Sequence, residues 1–383
     1  MLITRGLQEW ACLLPQQLPF ASAARLLGWH AHEESAVLAT TTLRNLVREH
    51  GQIVRKAEVA EAEMLIARCN QGQSEIPKPT LVLPASTPHR RPGWPAELCA
   101  SVEEAINAAS SAPPKGVSPA DWERVLCARR EEAHSSVRAL RLLGPRVTEE
   151  EVVVGVDEVL TRQSEKHRFH ELRTARVLTA HGGRYLSGRG ASFLLVLTAF
   201  VLLCAGTNRC VLVLADGARW IRNWFFEISA SLWSCRLILD WYHLRKKCHE
   251  LGSMICRGRK AKALLLRPVL RALWTDQFAT ALSLLEAYRG EAKNVEKLDE
   301  LLQYLRDRQP FLPHYAERRR MREYIGSGHV EKANDRMVAQ RQKGLGMHWS
   351  EDTSDGLAAL KTLMLNGGWD LYWTERKVLP LAA

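Results

Sequence analysis

Hydrophobic and polar positions change rhythm along the chain, and four textures follow one another. The stretch LPFASAARLLGWHAHEESAVLATTTLRNLVREHG, over 18–51, carries two helical patterns parted by a polar joint between His30 and Ser35. Ala21, Ala24, Leu26 and Leu27 line one face of the first, and Leu43, Leu46 and Val47 one face of the second. A short helix, a joint and a second helix opening on Thr40, Thr41 and Thr42 predict a helix-turn-helix-like DNA-binding region over 1–55. Its second helix would offer Thr42, Arg44, Asn45 and Arg48 to DNA; the alternative is an ordinary helical hairpin. From 56 to 148 the rhythm is lost. PKPTLVLPASTPHRRPGWPAE, over 77–97, reads as a Pro-rich connector, with helices over 102–110 and 121–143.

At Glu151 the pattern turns β-branched. EVVVGVDEVL predicts a buried strand, followed by LRTARVLTA and GRYLSG as two more with a glycine turn at Gly182 and Gly183. An apolar helix over 193–204, a strand CVLVLADG, a helix from Ala218 and a strand CRLILDWYH complete a mixed α/β sheet with helices on its faces. From Leu244 to Arg322 the chain is helical and basic, and 325–373 reads as long helix. The apolar run ASFLLVLTAFVLLCAG is shorter than the ~20 residues a membrane-spanning helix needs, which predicts a core helix and no membrane partner.

Composition sharpens this picture in two places. The 383-residue chain has a formal charge of +11, which favours nucleic acid or an acidic surface as partner. Its nine cysteines form no C-x-x-C pair, so neither a zinc knuckle nor a redox motif is expected, and with no secretory leader in MLITRGLQEWACLL a reducing cytoplasm is expected.

Candidate chemistry lies in the acids. Asp157 sits in an apolar strand and Asp216 at the carboxyl end of another, where α/β sheets gather ligands. A carboxylate in such a strand is costly unless paired or bound to metal, and a salt-bridged structural acid is the plainer alternative. Glu331 heads the basic, amide-rich segment YIGSGHVEKANDRMVAQRQKGLGMHWS. Three carboxylates without a Cys or His ligand pattern favour Mg²⁺, with Mn²⁺ as substitute. Two such ions about 4 Å apart serve phosphodiester chemistry. Glu158 falls on the opposite face of its strand from Asp157. Asp335, one turn beyond Glu331, is the rival third carboxylate. Trp349 is expected in the core, with stacking on an unpaired base as the alternative.

GVDEV around Asp157, ADGARWI around Asp216, LDWYHLRKK around Asp240 and His243, and the Glu331 segment together resemble the DDE transposases of bacterial insertion sequences, in their Mutator-like lineage. The last motif is the most specific, and the resemblance spans roughly 18–373. It implies an RNase H-like sheet split by an all-helical insertion, with the core over 149–243 and 323–383 and the insertion over 244–322. It implies Asp157, Asp216 and Glu331 as ligands of two Mg²⁺ or Mn²⁺ ions, with DNA strand cleavage by water and then strand transfer. The D-x-x-H unit of Asp240 and His243 matches a motif at the start of the family's insertion, which brings both into the candidate catalytic set.

Basic residues that could track DNA phosphates are Arg245, Lys246 and Lys247, then Arg319, and Arg336, Arg341 and Lys343 behind Glu331. The partners implied are double-stranded DNA, as terminal repeats and target, and a second copy of the chain, in a bacterial cytoplasm at the nucleoid. The start lies close ahead of the helix-turn-helix candidate, whereas such transposases commonly carry more DNA-binding sequence there. A DNA-binding remnant or repressor of transposon ends, and an RNase H-like nuclease or resolvase, are the competing readings.

Overall fold

A computed structural model describes residues 3–33, 37–70, 145, 147–164, 168–232, 234–344 and 346–381. The expected connector over 77–97 and the helices over 102–110 and 121–143 lie outside these, as do Cys99 and Cys127. In chain order the elements are α1 (Arg5–Leu13), α2 (Phe20–His30), α3 (Thr40–Asn70), β1 (Glu151–Arg162), β2 (Phe169–Thr179), β3 (Gly182–Gly188), α4 (Gly190–Ala205), β4 (Cys210–Ala215), α5 (Arg219–Ser229) and β5 (Ser234–Leu239). Next come α6 (Trp241–Ile255), α7 (Gly258–Trp274), α8 (Phe278–Ala287), α9 (Val295–Arg308) and α10 (Tyr315–Arg320). The last are α11 (Gly328–Asn334), which runs into a π-helical turn at Asp335–Ala339, then α12 (Glu351–Leu365) and α13 (Trp369–Glu375).

The chain divides into two compact units. One holds the N-terminal helices, Val147–His243 and Gly326–Ala383; the described part of the other is Leu244–Ile325.

The five strands of the first unit form one mixed sheet of order β3-β2-β1-β4-β5. β1–β2 and β2–β3 pair antiparallel; β1–β4 and β4–β5 pair parallel. β1 and β4 are apolar on both faces because both are covered: Val152, Val153, Val154 and Val156 are buried, as is all of β4. Packing of α11 on β1 and β2, and of α12 on β3, accounts for one side. Trp220 of α5 meets Phe193 of α4 and donates to Glu158 on the other. Among the described residues no helix is long and apolar enough to cross a membrane, and the apolar α4 buries Phe193, Leu197 and Val201 against this sheet.

Three expectations shift. The turn between β2 and β3 falls at residues 180–181, and Gly182 and Gly183 open β3 instead of making the turn. β5 stops at Leu239, four residues short of His243, because Asp240 caps a helix there. The segment over 325–373 is not one long helix: glycines at 344 and 346, and at 367 and 368, interrupt it.

The N-terminal pattern does fold as two helices, but the second continues past residue 55 to Asn70, since nothing between Gly51 and Asn70 breaks a helix. α3 packs along α12, and the pair of α2 and α3 shares one core with the C-terminal helices: Phe20, Leu27, Leu43 and Val47 meet Trp349, Leu360, Trp369 and Tyr372. Each such side chain contributes about 1.5–3 kcal/mol by leaving water. Half-buried Arg55 of α3 adds bonds to Asp355 (3.1 Å) and to Ser187 of β3 (2.9 Å).

The second unit is helical throughout its described length. Its apolar seam runs through Leu251, Leu266, Val269, Leu285, Leu298, Leu302, Phe311 and Tyr315.

The α3–α12 crossing rests on two glycines: a Cβ on Gly51 would stand 2.4 Å from Gly356 Cα. Gly51→Ala should therefore destabilise by about 1–3 kcal/mol, read by urea unfolding. Gly290→Ala, whose Cβ meets nothing within 4 Å, should stay within about 0.5 kcal/mol of wild type.

Candidate active site

Parallel pairing sets the geometry of the acids. Gly155 of β1 lies opposite Leu214 of β4, and Ala215 of β4 opposite Leu239 of β5. Carried on two residues and one residue respectively, that register brings Asp157 level with Asp216 and Asp216 level with Asp240. Adjacent strands lie about 4.8 Å apart, so three carboxylates form a row across three neighbouring strands, Asp157 within β1 and Asp216 and Asp240 just past the ends of β4 and β5.

Each acid is held differently. Asp157 Oδ1 accepts from the Glu158 N–H (2.8 Å), and Oδ2 accepts from Asn334 Nδ2 of α11 (2.6 Å). The Asn334 carbonyl accepts in turn from Thr174 Oγ1, which lies directly opposite Asp157 on β2. Burial, with the charge of Asp216 adding to it, pushes the Asp157 carboxyl up to about 6 against the pull of Glu158 N–H, His243 and Asn334. Asp216 Oδ1 accepts from Ala218 N (2.8 Å) across Gly217, whose φ of 79° is a left-handed conformation that glycine adopts without strain.

Asp240 is fully buried. Its Oδ1 accepts from the N–H groups of Tyr242 (2.5 Å) and His243 (3.1 Å), capping the first turn of α6. Its Oδ2 accepts from Ser327 N (2.5 Å) and from Ser327 Oγ. Burial opposes the charge, but the donors of His243 and Ser327 outweigh it and hold the carboxyl below its ordinary value. Since Ser327 immediately precedes α11, this carboxylate ties the strand end to the helix that carries Glu331.

His243 stands at the centre of the cluster. Its Nδ1 lies 3.5 Å from Asp240 Oδ2 and 3.9 Å from Glu331 Oε1, ion-pair contacts too long for a hydrogen bond at the buried nitrogen. Asp240, with Asp157 and Asp216 beyond it, pushes the imidazole up to about 9 despite burial, so it is cationic at neutral pH. Glu331 is half-exposed, its side chain 53% accessible.

Among the described residues, one group of three presents metal-ligand atoms all within 4.8 Å: Asp240, His243 and Glu331. Asp240 fits that role poorly, because four donors already fill its lone pairs. What it does in the structure is join Ser327 to the first turn of α6. Asp157, which takes one donor on each oxygen, and Asp216 and Glu331 supply the oxygen-only chemistry that suits a hard divalent cation. These three are less tightly gathered than the histidine-centred group.

The neighbours fall into place around them. Glu158 points to the other face, where Trp220 Nε1 donates to it (3.0 Å). Asp335 accepts from Gln340 (2.7 Å). Trp349 is buried, its Nε1 donating to Gln342 O. Asn334, Thr174 and Ser327 were not legible as site residues; only their proximity to Glu331 in the GSGHVEKAN stretch signals two of them.

The basic residues separate. Arg245, Lys246, Arg319, Arg336 and Lys343 are exposed, whereas Lys247 lies 3.4 Å from Glu300. Thr42 is half-buried and Asn45 exposed; Arg44 lies over the Phe20 ring, and Arg48 pairs with Asp352. Arg341 departs most from expectation: it is 7% exposed, with Nε donating to Pro15 O, because its helix turns it into the core beside Trp349. No protein-family model and no curated protein sequence matches the chain.

His243 has a raised pKa in the folded state, so its contribution to stability is complete below pH ~6.5 and is lost as pH rises through about 9. In metal-free buffer, the wild-type urea midpoint should fall between pH 7 and 9.5 more steeply than that of His243→Gln. Asp240→Ala, which strands Ser327 and uncaps α6, should cost about 2–4 kcal/mol by the same assay.

Proposed function

We propose that the protein is a DDE-type transposase with an RNase H-like catalytic unit, cutting DNA at the ends of an insertion sequence and joining the freed strand to a target. The observation that carries this reading is the row of Asp157, Asp216 and Asp240 across three neighbouring strands, with α11 bringing Glu331 to the same histidine. The sheet order, three antiparallel strands leading into parallel ones, supports it further.

In this reading Asp157, Asp216 and Glu331 hold Mg²⁺ or Mn²⁺. Bound there, such ions would supply charge stabilisation at a scissile phosphate and would lower the pKa of an attacking water or hydroxyl. The protein's own groups do the rest. Asn334 orients the Asp157 carboxylate, and Thr174 fixes Asn334. Asp240 holds Ser327, and with it the start of α11, so that Glu331 faces the row. His243, cationic and centred among the acids, lowers the cost of gathering that much negative charge and offers a donor to a phosphate oxygen.

DNA binding draws on the exposed Arg245, Lys246, Arg319, Arg336 and Lys343 together with the net charge of +11. Each neutralised phosphate releases counterions, so affinity falls with salt. The partners in this reading are duplex DNA carrying the terminal repeats and a second copy of the chain, within the nucleoid of a bacterial cell.

The test is a cleavage and strand-joining assay on DNA carrying the sequences that flank the coding region, with Mg²⁺ or Mn²⁺ present. Wild type should nick and join; Glu331→Gln should bind with the same salt dependence and do neither. If both proteins bind and neither cuts, the chain is a repressor of those ends and the catalytic reading is lost.

A further inference from the structure

A cleft of ≈ 420 Å³ opens beside the loop that leads into α12, lined by Phe20, Arg44, Ser164, Arg341, Trp349 and Thr353 among others. Among the described residues that line it, none belongs to the row of acids and none is an aspartate or glutamate.

Two cations face it. Arg341 is nine-tenths buried, and its bonds run to neutral atoms only: Nε to Pro15 O (2.5 Å), and Nη1 to the Met347 sulfur (3.8 Å). Its guanidinium lies over the Trp349 ring at 4.8 Å and the Phe20 ring at 5.7 Å. Arg44 approaches the Phe20 ring from α3, 5.6 Å from its centroid. Burial lowers the Arg341 pKa to about 10, and among the described residues no carboxylate acts against it. A buried guanidinium without a counter-charge is costly unless an anion completes it.

The two acids that open α12 are turned elsewhere. In the first turn of α12, Asp352 pairs with Arg48 and Glu351 with Arg189. That leaves the Ser350 and Thr353 hydroxyls, bonded to each other (2.7 Å), at the positive end of a 15-residue helix facing the cleft. The wall is also rigid. Trp349 N and O bond to Arg162 O and Ser164 N, its carbonyl meets His170 Nε2 (3.0 Å), and His348 Nδ1 meets Gln163 O (2.9 Å).

We infer that this cleft is an anion site for a phosphate attached to a planar ring, that is, a nucleotide. Arg341 and Arg44 take the phosphate. Pro19, Phe20, Met347 and Trp349 provide the apolar wall for the rest, and the volume exceeds what a bare phosphate fills. The site stands on its own charges and walls, independently of what the acid row catalyses. The ligand comes either from a free mononucleotide or from the phosphorylated end of a strand.

Titration calorimetry on the full-length chain tests this with dAMP, with a 5′-phosphorylated single-stranded oligonucleotide and with the same oligonucleotide lacking the phosphate. Saturable binding is expected for a phosphorylated ligand, weakened about tenfold or more in Arg44→Gln and in Arg341→Lys, and unchanged in Arg25→Gln, an exposed cation outside the cleft. Tighter binding of the phosphorylated oligonucleotide than of dAMP identifies a strand end; the reverse identifies a free nucleotide. Where Arg341→Lys fails to fold by circular dichroism, Arg44→Gln decides. Absence of saturable binding, equal binding in Arg44→Gln, or indifference to the 5′-phosphate overturns the inference. Asp157→Asn, which removes an acid of the row, should bind as wild type does and so separates this result from the fate of the transposase reading.

Discussion

The buried carboxylate of Asp240 is the interaction on which the rest of the site depends. Four donors converge on it, two from the first turn of α6 and two from Ser327. A charge taken out of water is tolerated only when every lone pair is met, so Asp240 fixes both segments at once. His243 is fixed because its own N–H is one of the donors. Glu331 is fixed because its helix begins at the residue that supplies the other two. Without that junction, two residues distant in sequence would have no reason to stand 3.9 Å apart.

The row of acids then follows from sheet geometry. Parallel strands present their carboxyl ends on one edge, and the β1–β4–β5 register makes Asp157, Asp216 and Asp240 neighbours. Their environments divide the labour. Asp240 is saturated and kept ionised, whereas Asp157 is half-buried among fewer donors beside a like charge and is harder to ionise. Burial and a neighbouring like charge both disfavour the ionised carboxyl, whereas converging N–H and O–H donors favour it, and the two aspartates stand on opposite sides of that balance.

The helical frame has its own constraint. α3 and α12 approach until Gly51 and Gly356 touch, and Arg55 bonds Asp355 and Ser187 at the same crossing. The N-terminal helices therefore belong to the core of the sheet-bearing unit. Surfaces that a free recognition helix would present are partly occupied, with Arg48 held by Asp352 and Leu43, Leu46 and Val47 buried. The same packing creates the cleft between Arg44 and Arg341.

Much was legible along the chain. Valine-rich β1, apolar β4 and the uniformly apolar α4 announce a sheet covered on both faces, because burial on both faces removes the polar alternation that a half-exposed strand requires. Asp157 and Asp216 stand out as acids in or beside such strands, and the glycine-flanked Glu331 heads a basic segment. Positions that depend on a distant partner were not legible. Nothing local says that Asn334 serves Asp157, that Ser327 serves Asp240, or that Arg341 turns inward while Arg336 stays exposed. The π-helical turn at Asp335–Ala339 shifts the helical phase between those two arginines. Local composition determines which stretches must be buried. Which polar groups meet there depends on strand register and helix crossings, and those are set by contacts between segments far apart in the chain.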